Sequence, residues 1–196
     1  MKAKTLNNKE FKLLLTRIDG GNPNLQLRNR TIIILSYKLG LHAKEISSLT
    51  VGDVFKNGTV VELLNLTKDQ TKGDSQRELS LTNKLVQDTL SKWLESLQDD
   101  FPHLFNSTMS LFRTQKRKPF TAGRMAECIK LIYTNAGKEF DNCSSHSGRR
   151  TFITNFANQG IDLNSIRVLA GHTSIQTTQI YIDENPVMLA NIMKMA

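Results

Sequence analysis

Apolar positions recur at helical spacing through most of the chain and at strand spacing through a short middle stretch. Phe11, Leu14, Leu15 and Ile18 share one face of a helix predicted over 5–19. Thr5 or Asn7 can cap it, and Gly20-Gly21-Asn22-Pro23 stops it. A second helix is predicted over 27–39, with Ile32, Ile33, Ile34, Leu35 and Leu39 as its apolar positions. Its β-branched run also fits a strand, but its length and the closing Gly40 favour a helix. A short third helix over 44–49 puts Ile46 and Leu49 on one face. The pattern then changes to three extended candidates, at 58–63, 76–81 and 110–113, with a polar turn at 68–75 between the first two. Helical spacing returns over 82–97, where Leu85, Leu90, Trp93, Leu94 and Leu97 keep the period. Further helices are predicted over 122–136, 148–158, 162–169 and 174–181, and 186–194 is an apolar tail. The expected fold is mixed α/β: a mainly α-helical body beside a small three-stranded antiparallel sheet. No Ser/Gly/Pro linker divides the chain, so residues 1–196 read as one domain.

Charge narrows the class of partner. The chain has 196 residues, with 26 Lys and Arg against 18 Asp and Glu, a formal net charge of +8 and a pI near 9.6. That excess points to a polyanion, with nucleic acid ahead of a membrane surface. The apolar run at Ile32–Leu35 is far short of the roughly 20 residues that cross a bilayer, and the basic start at Met1-Lys2-Ala3-Lys4 lacks the apolar stretch of a signal peptide. Cys128 and Cys143 make neither a disulfide framework nor a Cys-x-x-Cys motif. The expected setting is therefore cytoplasmic and nucleoid-associated.

Two regions carry candidate chemistry. Between 113 and 124 lie five cations and no acid: Arg113, Lys116, Arg117, Lys118 and Arg124. Such a run is either a solvated loop or a set of phosphate contacts. The last third holds His146-x-x-Arg149, whose i and i+3 positions face one way on a helix, then His172 in Leu169-Ala170-Gly171-His172, then Tyr181. Each feature alone is unremarkable. Together they could surround one phosphodiester, with tyrosine attacking phosphorus, arginine neutralising the non-bridging oxygens and histidines handling protons. The four histidines His42, His103, His146 and His172 show no zinc-ligand spacing with the cysteines, so no metal or other cofactor is expected.

His146-Ser147-Gly148-Arg149-Arg150-Thr151-Phe152, Leu169-Ala170-Gly171-His172-Thr173-Ser174-Ile175 and Thr177-Thr178-Gln179-Ile180-Tyr181 resemble the second box of the tyrosine recombinases, the phage-integrase family. Leu39-Gly40-Leu41-His42-Ala43-Lys44-Glu45-Ile46-Ser47-Ser48-Leu49, followed by Asp53, resembles the first box. Lys72-Gly73-Asp74-Ser75-Gln76-Arg77 resembles the family's hairpin lysine segment. The resemblance implies a site-specific recombinase that cuts and rejoins double-stranded DNA through a 3′-phosphotyrosine link, with other protomers in a tetrameric synapse. In those roles Tyr181 is the nucleophile, Lys72 the general acid for the leaving 5′ oxygen, Arg149 the clamp, and His146 and His172 the rest of the cradle. The apolar tail, with Val187, Met188, Leu189, Ile192 and Met193, would dock on a neighbouring protomer.

This chain departs from the family at several positions. The family has an arginine where His42 stands, and a neutral imidazole offers one donor in place of a charged planar fork. Three accounts follow: a protonated His42 substitutes, Lys44 or Arg28 reaches into the gap, or the protein is an impaired recombinase acting as a DNA-binding accessory factor. A nicking enzyme resembling type IB topoisomerases is a weaker third function. Gly148 replaces a usual leucine, and Arg150, a further candidate DNA contact, replaces a usual histidine. The pattern also begins almost at Met1, without the family's N-terminal clamping arm and in the size range of the fimbrial-switch invertases. Weak, salt-sensitive binding by a monomer is the expected consequence.

Overall fold

The computed structural model describes residues 3–18, 22–71 and 76–181. The element order is α1 (Asn8–Arg17), α2 (Pro23–Leu39), α3 (Ala43–Ser48), α4 (Val51–Val54), β1 (Phe55–Lys56), β2 (Thr59–Val60), β3 (Leu63–Leu66), β4 (Arg77–Ser80), α5 (Lys84–Asp100), α6 (Ala122–Ala136), a 3-10 turn (Lys138–Phe140), α7 (Ser147–Asn158), α8 (Leu163–Ala170) and α9 (Ile175–Gln179). None of the described helices is long and apolar enough to cross a membrane.

Asn7 starts α1 with a capping box: its side chain accepts from the Glu10 amide at 2.9 Å, and the Glu10 carboxylate accepts from the Asn7 amide at 2.8 Å. Helix α2 begins four residues ahead of its predicted start. Asn22 caps it, accepting from the Asn24 amide at 2.9 Å, and Pro23 fills the first turn, where its missing N–H costs nothing. So Asn22-Pro23 opens α2 as well as following α1. The helix is buried along most of its length, including Ile32, Ile33, Ile34, Leu35 and Ser36, and it packs on α5 and α7. It ends at Gly40, whose φ of 63° is left-handed and where a Cβ would lie 2.5 Å from Phe152 Cδ1.

The class is as expected, but the predicted three-stranded sheet is two separate two-stranded antiparallel sheets. Stretch 58–63 divides between them. β1 and β2 pair Phe55 with Val60 and Lys56 with Thr59 across Asn57-Gly58, both at positive φ (53° and 80°), a turn chemistry that suits a tight hairpin. β3 and β4 pair Leu64 with Leu79 and Leu66 with Arg77, turning Leu64, Leu66, Leu79 and Arg77 inward. Stretch 110–113 joins neither sheet and makes only a bridge from Ser110 to Thr50 and another from Arg113 to Pro119. Its backbone is otherwise committed: the Leu111 amide donates to Leu49 O, and Leu111 O accepts from the Trp93 indole at 3.0 Å.

The main core gathers side chains from Leu6 to Cys143. A second, smaller cluster of Phe152, Ile153, Ala157, Ile166 and Ala170, with Tyr181 against it, holds α7 and α8 together. The candidate active site lies where the two meet. Residues 72–75 of the polar turn predicted over 68–75, Lys72 among them, and the apolar tail fall outside the described residues.

Candidate active site

Four elements aim side chains into one cavity of about 350 Å³, lined by His42, Glu45, His146, Arg149, Gly171, His172, Thr173, Thr177 and Tyr181. His42 sits just ahead of α3, His146 and Arg149 on the first turn of α7, and His172 in the turn between α8 and α9. Tyr181 follows α9. Five of the six predicted catalytic residues thus converge, and the sixth, Lys72, is outside the described residues.

Arg149 is 3 % exposed. One guanidinium nitrogen donates to Gly40 O at 2.9 Å and the other terminal nitrogen donates to Ala170 O, while Nε has no hydrogen-bond partner among the described residues. Burial, then the nearby positive charge of Arg77, lowers its pKa to about 10. A buried cation anchored by carbonyls, with a donor left over, is a ready partner for an anion. Its backbone setting is tight, because Gly148 lets α7 approach α2: a Cβ there would lie 2.8 Å from the backbone carbon of Ser36.

His172 is pushed down to about 4 by burial, then by the charges of Arg149 and Arg77, so it is neutral at physiological pH. Its Nδ1 is 2.9 Å from Thr178 Oγ1, and the Arg167 guanidinium donates to its backbone carbonyl at 3.2 Å. The Tyr181 ring stacks near it, with centroids 5.9 Å apart and an interplanar angle of 15°. The Arg150 guanidinium lies 5.4 Å from the centre of that ring, which places this candidate DNA contact beside Tyr181. His42 and His146 meet edge to face at 5.8 Å. Among the described residues no group of three or more His, Cys, Asp or Glu is arranged to hold a metal ion.

The two substitutes considered for the missing clamp arginine are engaged elsewhere. Lys44 Nζ donates to Thr71 O at 2.5 Å, next to Lys72 in the chain. Arg28 donates to Arg113 O at 3.1 Å and to the Asn29 side chain, twelve residues before Gly40 on α2, roughly 18 Å at 1.5 Å per residue. Of these three, His42 is the one that lines the cavity.

Two further residues stand inside the quoted boxes without a role assigned to them from the sequence. Glu45 and Arg77 form an ion pair at 2.6 Å, with side chains 3 % and 2 % exposed. Glu45 Oε2 also accepts from the His42 amide at 2.7 Å, and Arg77 also donates to Leu169 O at 2.6 Å. Glu45 was detectable as the residue three after a helix cap, where a carboxylate reaches back. Arg77 was detectable only from its alternation with Leu79 along β4.

The basic run lies away from the cavity, near the N-terminal half of α2. Arg113 donates to Arg117 O, and both guanidiniums lie over the Phe101 ring, at 5.7 and 5.2 Å. Lys116 and Lys118 project as exposed side chains of the same turn. Arg124, on the first turn of α6, is exposed and pairs with Glu127 at 3.1 Å.

The sequence model of the phage integrase family matches residues 4–187. Tyrosine recombinase XerD of Vibrio vulnificus strain YJ016 is 28% identical over 181 residues, covering 91% of this chain and 55% of that protein. Tyrosine recombinase XerA of Pyrococcus furiosus is 31% identical over 179 residues, covering 91% and 56%. The chain thus spans about half the length of these relatives. Among solved structures, XerA recombinase superposes with a TM-score of 0.73 at 22% identity, covering 100% of this chain and 66% of that one. The post-cleavage complex of XerH site-specific recombinase with a palindromic difH substrate gives 0.73 at 24%, covering 96% and 51%.

Proposed function

Because the chain belongs to the phage integrase family, we propose that it is a site-specific DNA recombinase whose nucleophile is Tyr181. The observation that supports this most is the convergence of Tyr181, Arg149, His172, His146 and His42 on one cavity. In the reaction, Tyr181 Oη attacks the scissile phosphorus, and the bond from phosphorus to the 5′ oxygen breaks. The departing oxygen takes its proton from Lys72, and the phenolic proton passes to a cavity imidazole. Arg149 holds the non-bridging oxygens with a buried charge anchored on the Gly40 and Ala170 carbonyls. His172 Nδ1 and Thr178 Oγ1 share a hydrogen bond; with the hydroxyl as donor, the ring proton sits on Nε2 and the neutral imidazole donates to the phosphate. His42 supplies the second clamp contact, carrying a proton beside the phosphate because an anion favours the imidazolium. Reversal with a new 5′ hydroxyl rejoins the strand. Phosphodiester bond energy is conserved in the phosphotyrosine link, so no nucleotide is consumed.

Two duplexes and four protomers form the working assembly, with the tail around Val187–Met193 exchanged between neighbours. Its setting is the nucleoid in the cytoplasm. Residues 1–196 act as one catalytic domain, and Arg113, Lys116, Arg117, Lys118, Arg124 and Arg150 contribute DNA contacts.

The test finds the DNA site as it measures cleavage. Wild type and Tyr181→Phe are expressed in the source cell, denatured rapidly, and the DNA left covalently on the protein is sequenced at its ends. Adducts clustered at one sequence in the wild type and missing from the variant are expected. No adduct from the wild type would overturn the cleavage reading and leave a DNA-binding accessory role.

A further inference from the structure

We propose that Arg77 is a positioning residue that ties β4 to both sides of the phosphate cradle. The proposal deepens the recombinase reading and rests on it for what the cradle does.

Arg77 lies on β4, five residues after Lys72, and is 5 % exposed. Its two terminal nitrogens reach opposite ways. One donates to Glu45 Oε2 at 2.6 Å, and that same oxygen accepts from the His42 amide at 2.7 Å. The other donates to Leu169 O at 2.6 Å, one residue before the carbonyl that holds Arg149 and three before His172. The aliphatic part of the side chain lies against Gly171, where a Cβ would come within 2.8 Å of Arg77 Cδ. A single guanidinium thus fixes the turn that presents His42 and the turn that presents His172. Arg149 makes a parallel tie from α7, to Gly40 O and Ala170 O.

Stability alone does not explain a charge in this place. Removing a carboxylate and a guanidinium from water costs about as much as their attraction returns, and an apolar pair of similar volume is often as stable. What the apolar pair lacks is direction: a planar fork reaches two acceptors at fixed angles, and a lysine reaches only one of them. Arg77 also acts at a distance, since its charge helps keep His172 neutral.

Three proteins are compared: wild type, Arg77→Lys and the double variant Arg77→Met/Glu45→Gln. Glutamine retains an oxygen to cap the His42 amide, so the double variant removes the strap without stranding a buried charge. The first readout uses free protein, with His172 titrated through its ring nitrogens by NMR. Its pKa is expected to rise in the double variant and to stay low in Arg77→Lys, which keeps the charge. The second is single-turnover phosphotyrosine formation on a duplex of the sequence recovered from the Tyr181 adducts. Both variants are expected to be slower by tenfold or more, with KM little changed. A double variant that melts like wild type, leaves the His172 titration in place and cleaves at the wild-type rate overturns the proposal. A wild type that forms no adduct would defeat the recombinase reading instead. In that case the strap stands on an upward shift of His172 and displaced His42 and His172 amide resonances in the double variant, and falls if both match wild type.

Discussion

On the proposed recombinase reading, the rate turns on His42. Arg149 supplies one permanent charge to the cavity and His172 is held neutral, so a second positive contact on the phosphate would have to come from His42. A lost preorganised donor to a transition-state oxyanion costs about 3 kcal/mol, or roughly a hundredfold in rate. His42→Arg is therefore expected to speed phosphotyrosine formation by about one hundredfold, and to remove the part of the pH dependence that belongs to an imidazole. Single-turnover cleavage across a pH series checks both; an unchanged rate would show that His42 already clamps as well as arginine. His172 gives a stability prediction of definite sign. Its proton affinity in the fold is depressed from 6.5 to about 4, so below 6.5 the unfolded chain binds a proton that the folded chain refuses. The contribution to stability is whole above pH 6.5 and is lost as pH falls toward 4. Thermal unfolding should show a melting temperature that declines over this window, with a shallower decline in His172→Asn. The residues that line the cavity were legible in the sequence because their order and spacing form a motif. Glu45 and Arg77 stand inside the quoted boxes, but their pairing was not legible, because a single charge reads as a solvated one until the fold shows it buried.

At the scale of elements, the contact between α2 and α7 sets the position of Arg149. Gly148 and Ser36 bring these helices together so closely that an added methyl group at 148 would press on the Ser36 hydroxyl and on its backbone carbon. This explains glycine where the family usually has leucine. Gly148→Ala is expected to lower stability by about 1–3 kcal/mol, the usual cost of overpacking, and to slow cleavage by displacing the guanidinium. Truncating Ser36 to alanine in the same chain should recover little of it, because the obstructing atom at 2.8 Å is backbone. Urea denaturation of the single and double variants measures this. The helices were readable because apolar spacing and caps such as Asn7 and Gly40 agree with their packing. The sheets were readable only in part: 76–81 holds β4, but their division in two was not legible, for two reasons. Asn57-Gly58 closes a hairpin whose strands are only two residues long, too short for alternation to register. Segment 110–113 has strand composition, yet its carbonyl at Leu111 is taken by Trp93 in place of a ladder partner.

Across the whole molecule, α2 separates two places where a polyanion can be held. Its C-terminal end leads into the Arg149 cradle, and its N-terminal half, through Arg28, supports the turn bearing Lys116 and Lys118. Arg28 and Gly40 are roughly 18 Å apart along the helix, about half the 34 Å turn of B-DNA. On the proposed reading one duplex engages both ends, and the two ends would do different work. The cradle must bind one phosphate in one geometry. Lys116 and Lys118 are exposed, suited to neutralising phosphates without reading bases. Each phosphate neutralised adds about 0.9 to the slope of log binding constant against log salt. Lys116→Ala and Lys118→Ala are each expected to reduce that slope by about one and to weaken binding equally on any duplex, while leaving the single-turnover rate at saturating DNA close to wild type. Arg113 and Arg117 should behave differently, because stacking on Phe101 and bonding to Arg117 O fix them as part of the turn; their loss should also lower the melting temperature. Binding measured by fluorescence anisotropy from low to physiological salt separates these cases. A slope unmoved by both lysine substitutions would place the DNA on another face of α2 and assign the basic turn to solvent.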